Sequence, residues 1–448
     1  MKYSPLLAVA ISALFIVGCD DDDEPTTQLQ AVHASPDAPL ANVIVNSQAR
    51  WTGVDYAQAF GYVSVSEGQT SVQVDVQLPG EAVATVIPQS QFNLSPDLDY
   101  TVMVVGDADG SNNPVEALVV TRPAAGTATS SSLDVQVVHA ATGVGDVNLY
   151  VTGPSDPLGA PLGTLGYKDF TDVLNIPAGQ YRVRLETVSG SAIAFDSGEI
   201  TLSGGSELTI AAVPRADSNS ASPVKLMVMD GKGSSLIYDM AETAEVRVGH
   251  LVDGGPTVDV FVNSAASADY ADLMFKDITV FKDIAVGTYD LDIFADGTTT
   301  NALIDADGVA VFAGMDYSIY AVGTLSPLNL EPLVVPENRR PVATSAVLNI
   351  THAAANPIAA SVDIYLTENT GIAGSTPALS DVKFKDYVNG IYVAAGTYYV
   401  TITVAGDPST VAIDSAPATL MNGVVYQVVA IDDSMGTRFN LIVRETTD

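Results

Sequence analysis

Four short runs decide the fold: Gln30-Ala31-Val32-His33-Ala34, Gln136-Val137-Val138-His139-Ala140, Arg247-Val248-Gly249-His250-Leu251 and Asn349-Ile350-Thr351-His352-Ala353. They contain all 4 histidines of the chain, at intervals of 106, 111 and 102 residues. An apolar run that ends in the same residue at a near-constant interval marks a repeated structural unit. The 448 residues therefore divide into one module of roughly 100 residues used four times.

Outward from each histidine the pattern continues. A turn leads into an alternating strand: Val43 and Val45; Val147, Leu149 and Val151; Val258, Val260 and Val262; Val362, Ile364 and Leu366. Period two predicts one buried face and one wet face. Loops of unequal length follow, the longest over 152–165 and 367–382, both rich in Gly, Pro and Ser. Then an aromatic (Tyr56, Tyr167, Phe275, Phe384) precedes a turn glycine (Gly68, Gly179, Gly287, Gly396) by 12 residues each time. Three of these read aromatic-Lys-Asp, as in Tyr167-Lys168-Asp169, Phe275-Lys276-Asp277 and Phe384-Lys385-Asp386; the first reads Tyr56-Ala57-Gln58. A late strand opens at Tyr100, Leu208, Tyr317 and Tyr426, and the three tyrosines resemble the tyrosine corner of immunoglobulin-like sandwiches.

About seven short strands per unit, with no amphipathic helix, predict an all-β chain. The expectation is four tandem immunoglobulin-like Greek-key β-sandwich domains, over 28–122, 133–230, 244–336 and 345–448, after a lipoprotein signal peptide. The short connections 121–132, 231–243 and 336–345 predict an elongated rod with limited bending.

The leader has Lys2 before an apolar run of 12 residues, Leu6 to Val17. That is too short to span ~30 Å of hydrocarbon as a helix. It ends in Ile16-Val17-Gly18-Cys19, which resembles a bacterial lipobox. The resemblance implies a signal peptide over 1–18, cleavage before Cys19 and lipidation of Cys19. Cys19 is the single cysteine of the chain, so no internal disulfide competes for it. One acyl chain anchors only marginally, and stable attachment takes two or more. Asp20-Asp21-Asp22-Asp23-Glu24 follows. Such a run stays solvated and gives an acidic tether over 19–27. Acidic residues at this place resemble an inner-membrane retention signal in some bacteria and a surface-export signal in others. The expected localisation is the cell envelope, at the outer membrane and surface-exposed.

With 53 acidic against 18 basic residues the formal charge is −35, which repels nucleic acid and anionic headgroups. Charged residues make up 16% against 47% hydrophobic, the balance of a folded chain rather than an acidic disordered one.

Val32-His33-Ala34-Ser35-Pro36-Asp37-Ala38-Pro39, followed by Val43-Ile44-Val45-Asn46, resembles the opening of the bacterial domain of unknown function 4397. The later copies keep the histidine, the following strand, the glycine turn and the late strand, but not the Ser-Pro-Asp-Ala-Pro run. The resemblance covers nearly all of residues 28–446 and implies an extracytoplasmic, often lipid-anchored, lipoprotein built of tandem sandwich-like modules. It supplies no activity and no catalytic residue.

Few residues suggest chemistry. A zinc site needs several converging ligands, whereas each unit has one histidine, among apolar neighbours. His33, His139, His250 and His352 are therefore expected to bond the backbone of a neighbouring loop. Asp107-Ala108-Asp109-Gly110 and Asp305-Ala306-Asp307-Gly308 resemble fragments of a calcium loop, but neither completes the ligand set. In the aromatic-Lys-Asp motif the aromatic is expected in the core and the Lys and Asp as an exposed pair. No cofactor or metal and no enzymatic activity are expected. The expected function is a non-enzymatic, lipid-anchored cell-envelope or surface protein, a stalk or an adhesion/binding array, with a membrane contact through its anchor. A surface polysaccharide or protein is the expected ligand class. The alternative is a carbohydrate-binding or calcium-assisted ligand-capture module.

Overall fold

The computed structural model describes residues 25–79, 82–110, 113–216, 220–435 and 438–446. Cys19, the leader and the acidic run lie outside them. The chain is all-β, and its strands form four tandem two-sheet sandwiches.

Unit one shows the wiring. Its strands are β1 (Thr26–His33), β2 (Ala41–Val45), β3 (Gln48–Val54), β4 (Gln58–Ala59), β5 (Val63–Ser66), β6 (Gly68–Gln77), β7 (Val83–Leu94), β8 (Leu98–Val105) and β9 (Glu116–Pro123). One sheet has the order β4-β1-β8-β9, with β5 also on β1, and the other has β3-β2-β6-β7. The segments β4 and β5 share one edge, so each sheet is four strands wide. The aromatic-to-glycine stretch supplies that edge, one strand more than the seven expected. β1 runs parallel to β8, from Leu29↔Tyr100 to His33↔Val104, while the other ladders of the unit are antiparallel. Units two, three and four repeat the arrangement, each with a parallel pair at the same place.

The period-two pattern fills each sandwich. In unit one Ala31 and Val102 meet Val43, Val74 and Trp51 between the sheets, and the other three units have equivalent clusters. Burying one such Val or Leu is worth roughly 1.5–3 kcal/mol. The tyrosine corner is present: the hydroxyls of Tyr100 and Tyr426 accept from the backbone N–H of Ser95 (2.9 Å) and Met421 (3.1 Å), each five residues upstream.

The predicted rod does not form. The histidine-bearing strands are buried on both faces: in unit one every residue from Leu29 to His33 is buried, which the wet outer face of an isolated sandwich would not give. Val32, Met103, Val105 and Val120 of unit one pack against Val138, Val213, Met227 and Met229 of unit two. In the same way Leu251, Tyr320 and Val322 of unit three meet Ala353, Val429 and Ile431 of unit four. The units thus form two face-to-face pairs. The physical reason is that the outward faces of these strands and their parallel neighbours carry apolar side chains, Val32, Met103 and Val105 among them. The connection 231–243 is not a plain linker either. It contains the strand Ser234–Ile237, which extends the sheet of unit two and touches unit one through Ser234 Oγ, which accepts from Ala59 N–H (3.0 Å).

Candidate functional site

The repeated histidine sits where the chain leaves one sheet for the other. All four are buried, at 0–2% exposure. Each Nε2 lies opposite a carbonyl in the crossover that follows: Pro39 (3.0 Å), Gly145 (2.7 Å), Pro256 (2.9 Å) and Ala359 (2.7 Å). A carbonyl only accepts, so the proton is on Nε2. Nδ1 then accepts from the backbone N–H two residues on, at Ser35, Ala141 and Ala354 (3.3–3.4 Å). With both ring nitrogens engaged, these three histidines offer no free lone pair to a metal. His250 lacks the second bond. There Gly255 lies so close that a Cβ would come within 2.8 Å of the ring. Burial lowers the pKa of His33 to about 4, with the Arg340 charge acting in the same direction. Burial also lowers those of His250 and His352.

The aromatic-Lys-Asp motif docks on this histidine. The Lys N–H donates to the histidine carbonyl (Lys168 to His139, 2.7 Å; Lys276 to His250 and Lys385 to His352, 2.8 Å), and the histidine N–H donates to the Asp carbonyl (2.9 Å). Each lysine has a positive φ of 75–78°, a strained state for a side chain with a Cβ. The Asp carboxylate holds the turn by accepting from the N–H three residues back, at Gly166, Met274 and Lys383 (2.8 Å each). In unit one Gln58 Oε1 takes that role toward Asp55 N–H. Lys and Asp are therefore not the exposed pair expected from the sequence. The Asp caps its own turn, and the Lys reaches the other unit of its pair.

Those lysine contacts form a register. Lys168 pairs with Glu116, Lys385 with Glu331 and Lys276 with Asp433, at 2.7–2.8 Å. Glu116 and Glu331 occupy one ladder position, opposite Val105 and Val322, where unit two has Lys225 opposite Val213 and unit four has Asn440 opposite Ile431. Asp433, the partner of Lys276, lies beside that position and accepts from the Asn440 amide (3.2 Å). Unit one has Ala57 in place of the lysine. The facing unit then has a lysine in place of the acid: Lys225 Nζ lies 4.4 Å from the centre of the Tyr56 ring, and the Tyr56 hydroxyl donates to the Pro214 carbonyl. The motif is thus a clasp between sandwiches.

Sequence reasoning passed over a second feature of the seam. Three residues before each histidine stands a buried polar side chain: Gln30, Gln136, Arg247 and Asn349. Between units three and four they build a network. Arg247 donates to Ser318 Oγ (2.7 Å) and pairs with Glu337 (3.2 Å), and Gln427 and Asn349 also donate to Glu337 (2.6 and 3.1 Å). The signal was in the sequence, as a polar residue at one place in four otherwise apolar runs. Arg340, in the connection between units three and four, also escaped notice. It donates to the Pro36 and Ala38 carbonyls (3.2 and 2.9 Å), pairs with Asp55 and so ties that connection to unit one.

The calcium-like fragments have unrelated settings. Asp107 accepts from Thr142 Oγ1 of unit two (2.8 Å), whereas Asp305 and Asp307 lie in the strand Ile304–Val311. Among the described residues one acidic group, Asp259, Asp272 and Asp296, brings carboxylates within 4.8 Å of one another. None of these belongs to either fragment. The long loops 152–165 and 367–382 are largely exposed, and the four histidines are nowhere near them in role: they hold the crossovers. Among the described residues no helix is long and apolar enough to cross a membrane.

Comparison with known proteins gives a family. A family model described as "Domain of unknown function (DUF4397)" matches residues 27–150, 133–236 and 244–365. No curated protein matches. Solved structures that are similar include the Bacillus anthracis TIE protein, at 10% identity over 90% of this chain and 67% of that one, with a TM-score of 0.14. Another is a Bacteroides ovatus protein described as "a putative adhesin", at 9% identity over 49% of this chain and 97% of that one, with a TM-score of 0.16.

Proposed function

This chain belongs to the DUF4397 family, and from that premise we propose that it is a non-enzymatic, lipid-anchored protein of the cell envelope or surface. Its paired sandwiches present loops for adhesion or ligand binding. The observation that carries the reading is where the repeated polar residues are used. The histidines, lysines and aspartates that recur from unit to unit hold crossovers, turns and seams. What varies is loop length, and variable loops on a constant framework are where such folds place recognition. Repeated units add avidity to weak contacts. The anchor in this proposal is Cys19, which with the acidic tether would hold the array at the outer membrane. The ligand class is a surface polysaccharide or a protein.

Protease shaving of intact cells tests the placement: loss of the protein beside an intact periplasmic control is expected. Attachment tests the role. Cells in which loops 153–162 and 368–377 are each replaced by Gly-Ser linkers of equal length should attach less, with the protein still present at wild-type level. Attachment unchanged by both replacements, or protection from protease until the envelope is breached, would count against the reading.

A further inference from the structure

The four sandwiches differ at one register position between their sheets. Next to the pairs Ala41↔Val54, Val147↔Leu165, Val258↔Leu273 and Val362↔Val382 come Val43↔Trp51, Leu149↔Gly163, Val260↔Tyr270 and Ile364↔Leu379. Units one, three and four have a bulge between the two pairs, and after it a large side chain packs on the core: Trp51, Tyr270 or Leu379. Unit two has no bulge there and has a glycine. Strand alternation places Gly163 on the same face as the buried Leu165, and a methyl group at Gly163 would meet no atom within 4 Å.

The core is open beside this position, where the neighbouring Leu162 lines a space. An apolar cavity of about 360 Å³ lies between the sheets of unit two, with Leu185, Ile210 and Leu226 buried at its floor and Leu162, Asn175 and Pro177 at its rim. The equivalent space in unit four, between Ile364, Leu366 and Val428, measures about 30 Å³. Ligand sites begin at roughly 300 Å³, and an apolar cavity of ~150 Å³ holds benzene. No charged side chain lines the cavity. Its two polar side chains are already engaged: the Asn175 amide donates to Asp134 (2.7 Å), and the Tyr181 hydroxyl donates to the Pro177 carbonyl (2.7 Å). The lining therefore favours a ligand without charge.

We propose that the second sandwich binds one neutral apolar molecule, of about a dozen carbon atoms by proportion to the benzene-sized cavity, in the cavity between its sheets beside Gly163. The inference goes beyond the adhesion reading and does not depend on it.

The test is a titration of the purified full chain with the neutral fluorophore N-phenyl-1-naphthylamine, followed by displacement with 1-decanol. One saturable site per chain is expected. Gly163→Leu fills the space from a backbone position without positive φ, and should weaken binding by about tenfold or more while raising the melting temperature. Comparing the two proteins under one condition removes any uptake by an acyl anchor or carrier detergent. If Gly163→Leu does not fold, Leu162→Glu at the exposed rim places a charge at the mouth and should weaken binding without changing the circular dichroism spectrum. Equal binding in the native and altered proteins, or no saturable binding of the fluorophore, would overturn the proposal.

Discussion

His33 is wholly buried, with its Nε2–H donated to Pro39 and its Nδ1 accepting from Ser35. A proton added at Nδ1 would break the second bond and strand a charge beside Arg340. The folded-state pKa, about 4, lies below the ordinary 6.5, so between these values the unfolded chain binds the extra proton. Stability is then undiminished above pH 6.5 and falls as pH drops toward 4. For His33 the loss reaches on the order of 3 kcal/mol, and His250 and His352 add in the same direction. Thermal melts across this window should show the midpoint falling with pH, and His33→Gln should flatten part of the slope; a flat native profile would contradict it. Charge pairs at the seams divide by burial. Lys168 and Glu116 are 39% and 43% exposed, so Lys168→Met should cost about 0–1 kcal/mol. Arg247 and Glu337 are each 1% exposed, and Arg247→Ala leaves a buried carboxylate with its neutral donors but without its counter-charge, at about 3–5 kcal/mol. Urea titrations of both variants measure the difference. The recurring histidine was legible in the sequence, as was its backbone-binding role. The lysine's partner was not, because Glu116 lies 52 residues away in another unit.

Strands were read well where one face is buried and ambiguously where two are. In β2 the pattern of Ala41, Val43 and Val45 inward is clean, and the period-two reading held. In the histidine strands Ala31 turns to its own core and Val32 to the neighbouring unit, so the run gives no alternation to read. A short apolar run is compatible with a strand buried on both faces, but periodicity does not name the second surface. The tyrosine corner was legible because a tyrosine recurs at one place after a turn. Its hydroxyl accepts a single backbone N–H at Met421 (3.1 Å), so Tyr426→Phe should destabilise unit four by about 1 kcal/mol, measured by denaturant unfolding with the slope unchanged. The glycine turn marked the end of β5, but the short β4 that shares its edge was missed, because the edge is split around exposed Phe60. The bulges that seat Trp51 and Tyr270 were missed because a one-residue shift leaves no trace in an alternating pattern.

At the scale of the whole molecule, short linkers and a rod are not equivalent. A linker limits how far neighbours can separate, and the outer faces decide whether they turn toward each other. Here those faces are apolar at Val32, Met103, Val138 and Met227, and leaving them in water would forfeit roughly 1.5–3 kcal/mol per large side chain. Pairing follows, and the buried polar side chains of the seam fix its register. Met227 is fully buried and belongs to the seam rather than to the core of its own sandwich. Met227→Asp should therefore separate units one and two without unfolding either, since a buried carboxylate with no partner is strongly disfavoured. Small-angle scattering of the native chain should give a radius of gyration well below that of four units end to end, as two face-to-face pairs require. The variant should expand, and residues 121–132 should become a site of rapid proteolysis while the strand signal in circular dichroism stays constant. A native profile already as extended as a string of separate units would overturn the pairing, and with it the reading of the lysine motif as a clasp.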